Sequence, residues 1–588
     1  MLSRIIPPLM FLAFAWFIVS NPDARTIIAG IAIFLIGMHY MENGFKLFSG
    51  GALEVALERF TRTTPRAIVT GFVSTTAVQS SSLVSVIIIS FLSAELIGLT
   101  QAVGVIFGSN IGSTTTAWLI SSLGLKIQIS AYALPMLIFG VVIQFSKHVT
   151  YKGVGSLLIG LGFIFLGISY MKDGFEALKD GLDLAQYAME GYAGVLVYIV
   201  LGAVATVIIQ SSGATMAIII TALATGQIDY INALSLAIGA NLGTTVTAAL
   251  GSLASNKNGK RLAVAHFIFN LATALFAVIF IYQLRDLVEW LAPYLAIADG
   301  DNAMRLALFH TIFNIIGVLL VSPFLKQLVK FLESLFLEED QGRGRAKYLT
   351  PEVMEIPATA LAAIRKETIH LYDRSLEAIV HAMNLHRTEI FSEASIDEVI
   401  EHSKAPIDIN VDEVYRGEIK SLYGEILEYA SMSQSNMDPQ GNNEIFELKQ
   451  AARKIIEMVK DVRELQKNLN FYSKGHNSLI IGQYNQLRAQ LVGVLRMIQK
   501  LREHELDEEE VMTQIEVEKV RAKEREIAHN HEIDALIRTR KIESHSASSL
   551  INDISFAQSI SKKLLTVAET LWVRDEQIKD LGDEYGYS

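Results

Sequence analysis

The chain has 588 residues, 51% of them hydrophobic and 19% charged, with a formal net charge of −11 and a mean hydropathy of +0.35. Soluble domains carry about 25% charged residues, so the composition speaks against one large soluble globule. There is no cysteine, which excludes disulfides, thiol chemistry and cysteine metal sites.

Charge divides the chain in two. Residues 1–337 carry 18 Lys+Arg against 16 Asp+Glu, a net of +2, and residues 338–588 carry a net of −13. Such a break marks a domain boundary. The first part holds apolar stretches near 5–20, 26–41, 84–97, 100–122, 129–146, 153–171, 193–209, 214–225, 231–253, 261–284 and 304–325. A helix needs about 20 apolar residues to cross a bilayer, and this succession predicts a multi-pass membrane domain. Met1–Ser20 has one basic residue, Pro7-Pro8 in its middle and no small-x-small cleavage site. It reads as a membrane helix rather than a signal peptide. Basic residues favour the cytoplasmic side, and Lys326 and Lys330 follow the last apolar stretch. They place the C-terminal part in the cytoplasm of a cell bounded by this membrane.

The membrane part is duplicated. Gly37, Tyr40, Met41, Gly44 and Phe45 recur 130 residues later as Gly167, Tyr170, Met171, Gly174 and Phe175. At an offset of 131, Gln79-Ser80-Ser81 recurs as Gln210-Ser211-Ser212, Gly108-x-Asn110-x-Gly112 as Gly239-x-Asn241-x-Gly243, and Thr114 and Thr116 as Thr245 and Thr247. The repeats cover about 26–150 and 153–284, and a final helix spans 304–325. Duplicated membrane domains are characteristic of secondary transporters, with the site where matching broken helices meet. Val73–Ser90 and Ala203–Ile220 are such a pair, each interrupted by a polar cluster.

Gln79-Ser80-Ser81-Ser82 and Gln210-Ser211-Ser212 each precede an apolar run. Hydroxyls in that place cap a helix N-terminus, and free N–H groups at the positive end of a helix dipole suit an anion. Neither cluster contains Lys or Arg, so a bound oxyanion calls for a co-bound cation. Asn110, Thr114, Thr115 and Thr116, with Asn241, Thr244, Thr245 and Thr247, offer amide and hydroxyl oxygens for an alkali ion. Against this stands close helix packing, which the GxxxG spacings of Gly108/Gly112 and Gly239/Gly243 also fit. A further match pairs Arg261…His266-x-x-x-Asn270 with Arg305…His310-x-x-x-Asn314. Each His and Asn share a helix face and serve interhelical hydrogen bonding, a proton relay or a metal site.

On these motifs the chain resembles the type II sodium/phosphate cotransporters, and specifically the bacterial branch with a PhoU-like domain at the C-terminus. The resemblance implies an all-α fold: a polytopic membrane domain with inverted repeats and re-entrant, broken helices, plus a soluble cytoplasmic helical bundle. It implies inorganic phosphate as substrate and sodium as coupled ion, carried across the bacterial cytoplasmic membrane by alternating access. No other cofactor and no nucleic-acid partner is expected. Gln79, Ser80, Ser81 and Ser82 would be first-repeat substrate residues, and Gln210, Ser211 and Ser212 their counterparts, with Gly213 standing where a third serine would. Phosphate export by the same fold, or an ion channel with a regulatory bundle, stays open at this point. No GxxxxGK loop, HExxH motif or recognisable Ser–His–Asp constellation occurs, so no enzyme is expected.

Beyond a charged linker over 338–350, residues 351–588 read as an antiparallel bundle. Leu448, Ala452, Ile455, Val459, Val462, Leu465 and Leu469 form one apolar helix face. Glu457 and Asp461 form an i, i+4 carboxylate pair, either a metal site like the PhoU Glu/Asp-x-x-x-Asp motif or a solvated helix face.

Overall fold

The computed structural model describes residues 12, 15–49, 52–124, 130–181, 189–252, 255–336, 344–354, 356–403, 405–503 and 508–573. Most of the Met1–Ser20 segment and the 338–343 part of the charged linker lie outside them. Two compact units result, Met1–Leu337 and Glu338–Ser588. The fold is all-α, with no strand among the described residues.

The first unit is a polytopic membrane domain. Its helices run α1 (Pro22–Ser49), α2 (Ala52–Phe60), α3 (Thr64–Val78), α4 (Ser81–Ser93), α5 (Leu99–Ser113), α6 (Thr115–Leu119), α7 (Ser130–Gln144) and α8 (Val149–Gly181). They continue as α9 (Gly191–Ile209), α10 (Ser212–Ala224), α11 (Tyr230–Ser252), α12 (Lys257–Ile279), α13 (Ile281–Leu291), α14 (Asn302–Val321) and α15 (Leu325–Leu335). Among the described residues, six stretches are long and apolar enough to cross a membrane: α1, α8, α9, α11, α12 and the run from Asn302 to Leu335. The apolar stretches at 84–97 and 214–225 are not spans of their own. They form the 13-residue helices α4 and α10, about 20 Å long against a hydrocarbon core of about 30 Å. The stretch at 100–122 is broken at Thr114.

Glycines set how closely the helices approach. On α1 and α8, Gly30 meets Gly167, Gly37 meets Gly160 and Gly44 meets Gly153. A Cβ on Gly37 would lie 2.6 Å from the Ile164 nitrogen and 2.7 Å from the Gly160 oxygen. Partner numbers fall as residue numbers rise, so the two helices run antiparallel. A shift of 130 residues turns Gly30 into Gly160 and Gly37 into Gly167, which maps this contact onto itself. Within each repeat, Gly71, Gly108 and Gly112 press α5 against Val105, Ile68 and Phe72 of the α3–α5 pair. The counterparts Gly202, Gly239 and Gly243 meet Leu236, Ile199 and Ala203 of α9–α11. Backbone-to-backbone contact of this kind is how membrane helices associate where lipid offers no hydrophobic contrast. The glycines of the Gly-x-Asn-x-Gly blocks are therefore packing residues.

The second unit is built from α16 (Pro357–Ala382), α17 (Lys420–Ser433), α18 (Pro439–Tyr472), α19 (Ser478–Arg502), α20 (Glu508–Arg538) and α21 (Ser544–Ala568), with short helical turns between them. Leu448, Ala452, Ile455, Val459, Val462, Leu465 and Leu469 are all buried on α18. Among the polar groups buried in this unit are Arg488 and Asp553. Arg488 donates to the carbonyls of Met383, Asn384 and Ser403 at 2.9, 3.1 and 2.7 Å, and burial pulls its guanidinium down to about 10. Asp553 is fully buried, accepting from Tyr484 Oη at 2.5 Å and from Asn468 Nδ2 at 3.3 Å.

The packing of each unit can be tested by one substitution. Gly37→Val forces α1 and α8 apart, an overpacking cost of about 1–3 kcal/mol. The thermal midpoint of the detergent-solubilised protein should fall by several degrees, and an unchanged midpoint contradicts the packing account. Burial raises the Asp553 carboxyl from 3.8 to about 6, so the folded state binds a proton that the unfolded chain has released. Its contribution favours folding below pH 4 and is lost as pH rises through 6, a swing of about 3 kcal/mol. Asp553→Asn should remove that component from the pH dependence of unfolding of the second unit, followed by circular dichroism.

Candidate functional site

Both polar clusters are helix breaks with the same backbone. After α3 the chain enters the left-handed region at Gln79, with φ 58 and ψ 23, and then extends at Ser80, with φ −138 and ψ 101. After α9, Gln210 has φ 58 and ψ 22, and Ser211 φ −149 and ψ 112. A non-glycine residue at positive φ is uncommon. Two of them 131 residues apart reflect one duplicated device. Each break also bonds itself alike. The N–H groups of Gln79 and Gln210 donate to Thr75 and Thr206 carbonyls at 2.7 Å. Ser80 Oγ then caps α4 by accepting from Leu83 N–H at 3.2 Å, and Ser211 Oγ caps α10 by accepting from Ala214 N–H at 3.2 Å. Capping leaves the first-turn N–H groups of Ser81 and Ser82, and of Ser212 and Gly213, as donors with no partner inside their helices.

The two breaks meet around Thr116. Gln79 Nε2 donates to the Thr76 carbonyl at 2.6 Å and to Thr115 Oγ1 at 2.9 Å, while Thr116 Oγ1 donates to Gln79 Oε1 at 2.9 Å. From the other repeat, a Cβ on Gly213 would sit 3.4 Å from Thr116 Cγ2 and 3.3 Å from Met38 Cε. Ser211 Oγ lies 3.6 Å from Met38 Sδ. A Cβ at 213 would touch Thr116 and press lightly on the flexible end of Met38, whereas Ser82 is exposed. Ser80 Oγ also lies 3.5 Å from Glu42 Oε2, and Glu42 pairs with Lys46 at 3.8 Å.

The repeats differ where the sequence reads as symmetric. Gln210 is exposed and donates only to the Val207 carbonyl of its own helix. Thr115 is matched by Val246, so no hydroxyl stands there to receive its amide. In the first repeat α5 stops at Thr114, whereas α11 runs unbroken past Thr245. A side-chain chain holds the Thr114 break: Trp118 Nε1 donates to Thr311 Oγ1 at 2.8 Å, and Thr311 Oγ1 donates to Thr114 Oγ1 at 3.0 Å. Sequence reasoning missed Thr311 and Trp118. Neither belongs to a duplicated motif, and their partnership spans 193 residues.

The oxygens expected to serve a cation are distributed over both repeats. Thr114 and Thr115 donate to the carbonyls of Ile111 and Gly112, each at 2.7 Å, and Thr244 and Thr245 to those of Asn241 and Leu242 at 2.6 and 2.7 Å. Back-bonding of this kind spends the hydroxyl hydrogen and leaves oxygen lone pairs available. Asn110 and Asn241 are both buried, yet they act differently. Asn110 Nδ2 donates to the Ile106 carbonyl at 2.8 Å. Asn241 Nδ2 reaches Asn270 Oδ1 at 2.9 Å and Asn314 Oδ1 at 3.1 Å, so the His-x-x-x-Asn motifs do supply interhelical hydrogen bonds. In the second unit, Glu457 and Asp461 share Lys563, at 3.8 and 2.7 Å, and Glu457 also pairs with Arg453 at 3.0 Å. That is the pattern of an ion-paired helix face. No group of three or more His, Asp or Glu placed to hold a metal occurs among the described residues.

The sequence model of the Na+/Pi-cotransporter family matches residues 33–173 and 183–297, both breaks included. Over the membrane unit the chain is similar to this family. Bacillus subtilis YqeW, an uncharacterised protein, is 29% identical over 263 residues, covering 45% of this chain and 84% of that protein. Escherichia coli YjbB, named provisionally as an inorganic phosphate export protein, is 26% identical over 362 residues, covering 61% of this chain and 64% of YjbB. The chain thus spans less than two thirds of YjbB. The mouse sodium-dependent phosphate transport protein 2C is 40% identical over 88 residues, 14% of each chain. The family description and the names of the Escherichia coli and mouse proteins are those of transporters, not enzymes. No solved structure matches the chain.

The asymmetry gives a direct test. Thr116→Val keeps the shape and removes the hydroxyl that fixes Gln79 Oε1, an unsatisfied-group cost of about 1–3 kcal/mol. Phosphate affinity measured by calorimetry should fall about tenfold or more, whereas Thr247→Val should leave it nearly unchanged. Equal effects from both variants contradict the arrangement.

Proposed function

We propose that the membrane unit carries inorganic phosphate across the bacterial cytoplasmic membrane with sodium as the coupled ion. The observation that carries this reading is the meeting of two duplicated helix breaks, one from each repeat, around Thr116. Phosphate lies between the N-termini of α4 and α10, received by the first-turn N–H groups and by the side chains of Gln79, Ser80, Ser81, Ser82, Gln210, Ser211 and Ser212. Each helix end contributes about half a unit charge, too little for a divalent anion. With no Lys or Arg in either cluster, sodium held by the oxygens of Asn110, Thr114, Thr115, Asn241, Thr244 and Thr245 supplies the remainder.

The antiparallel α1–α8 glycine contact supports an inverted repeat. If equivalent helices cross the membrane in opposite directions, their symmetry axis lies in the membrane plane, the arrangement used for alternating access. The unequal fastening of Gln79 and Gln210 fits one of two alternating states. Lys326 and Lys330 after α14 favour a cytoplasmic second unit, and its long-helix bundle fits a PhoU-like regulatory domain. The name of the Escherichia coli relative favours net export as a second reading of the same site.

In proteoliposomes, Gln79→Ala and Gln210→Ala should each reduce radiolabelled phosphate flux to near background at wild-type protein levels. Flux through the wild type should depend on an imposed sodium gradient, whose polarity sets its direction. Wild-type flux from either variant would remove these glutamines from the site, and flux indifferent to sodium would remove the coupling.

A further inference from the structure

Asn241, Asn270 and Asn314 come from three helices, α11, α12 and α14, and all three are at least 95% buried. The two oxygens of Asn270 and Asn314 converge on one point, lying 2.9 and 3.1 Å from the Asn241 amide nitrogen. The same helices carry three buried polar atoms with no hydrogen-bond partner: Asn270 Nδ2, His266 Nδ1 and His310 Nδ1. His266 shares a face of α12 with Asn270, and His310 a face of α14 with Asn314, each by i, i+4 spacing. Unpaired buried polar groups are costly, so helix pairing alone leaves this cluster incompletely satisfied. Water carried in with a bound ion would satisfy them, donating to the Nδ1 atoms and accepting from Asn270 Nδ2.

The chemistry of the lining selects that ion. α11, α12 and α14 contain no Asp or Glu anywhere in their lengths. The cluster therefore offers neutral oxygens, and the three helices that carry it bring no carboxylate. Divalent hard cations are normally held by carboxylates, whereas neutral carbonyl-type oxygens suit a monovalent ion. Two of the three oxygens already face one point. A half-turn of the Asn241 carboxamide exchanges its nitrogen for its oxygen there and completes a set of three from three helices.

We propose that Asn241, Asn270 and Asn314 form a sodium site, with the Asn241 carboxamide rotating to admit the ion and the Nδ1 atoms of His266 and His310 receiving hydrogen bonds from its water. Asn270 and Asn314 thereby join the cation ligands proposed above, whereas the Asn110 amide donates to the Ile106 carbonyl of its own helix. In the ion-bound arrangement the Asn241 amide lets go of both partner oxygens, which couples sodium entry to the spacing of α11, α12 and α14. The proposal rests on the sodium-coupled reading above only for the identity of the ion.

The test uses the full-length protein in detergent without phosphate. Sodium chloride is titrated against choline chloride at constant ionic strength, with the thermal midpoint as readout, because a ligand of the native state raises it. Wild type should show a saturable sodium-dependent rise. Asn314→Ala should raise the half-maximal sodium concentration at least tenfold. Asn270→Asp, which keeps the oxygen, removes the unpaired Nδ2 and adds a charge, should lower it several-fold; Asn270→Ser, keeping a smaller oxygen donor, should fall between wild type and Asn314→Ala. Half-maximal concentrations equal to wild type in these variants overturn the proposal, as does a choline response equal to that of sodium. Phosphate flux read on the same preparations separates the two ideas. A protein that moves phosphate without a sodium-dependent rise overturns the ion site and leaves the carrier standing. One that binds sodium through these asparagines but moves no phosphate overturns the carrier alone.

Discussion

A backbone N–H without a partner in hydrocarbon costs several kcal/mol, and this constraint decides what an interrupted membrane helix can be. The chain stops a helix at Val78 and again at Ile209, both inside apolar sequence, and each time a glutamine takes the left-handed turn and a serine caps the next helix. Capping accounts for one N–H of each new helix. The others must face protein, water or ligand, so a break in this setting implies a cavity. Two breaks facing one another create paired positive helix ends with no basic side chain between them.

Everything else in the membrane unit serves to bring those ends together. Helices α4 and α10 are too short to span, so longer neighbours must hold them at depth. The α3–α5 and α9–α11 pairs do so by pressing glycine onto backbone at matched positions, and α1 against α8 joins one repeat to the other through the same means. Glycine is required here because a single Cβ would overlap the facing chain. Duplication gives two equal halves, but the side chains then differ. Thr115 and Thr116 fasten Gln79, with Trp118 and Thr311 behind them, whereas Val246 leaves Gln210 without a matching hydroxyl. On the carrier reading, these substitutions make the two halves of the site unequal.

The sequence disclosed the duplication and the breaks because both are local or strictly periodic signals: Gln-Ser-Ser twice, at one offset, amid apolar residues. It did not disclose which polar groups would meet. Thr311 sits on an ordinary apolar helix, and only packing brings it to Thr114. The surroundings of Gly213 were equally hidden, since the sequence registers a missing serine while the structure supplies Thr116 and Met38 against that position. Apolar length overstated the spans at 84–97 and 214–225 because hydropathy cannot tell a half-length buried helix from a crossing one. In the second unit the α18 periodicity identified the buried face, yet the ion pair of Lys563 with Glu457 and Asp461 required the tertiary fold.

The carrier reading stands or falls on one phosphate being held by both breaks at once. Cryo-electron microscopy of the protein with phosphate and sodium tests it most directly. A single phosphate density is predicted within hydrogen-bond reach of the first turns of both α4 and α10, near Gln79 and Thr116. Density confined to one break, or bound away from both, would contradict it.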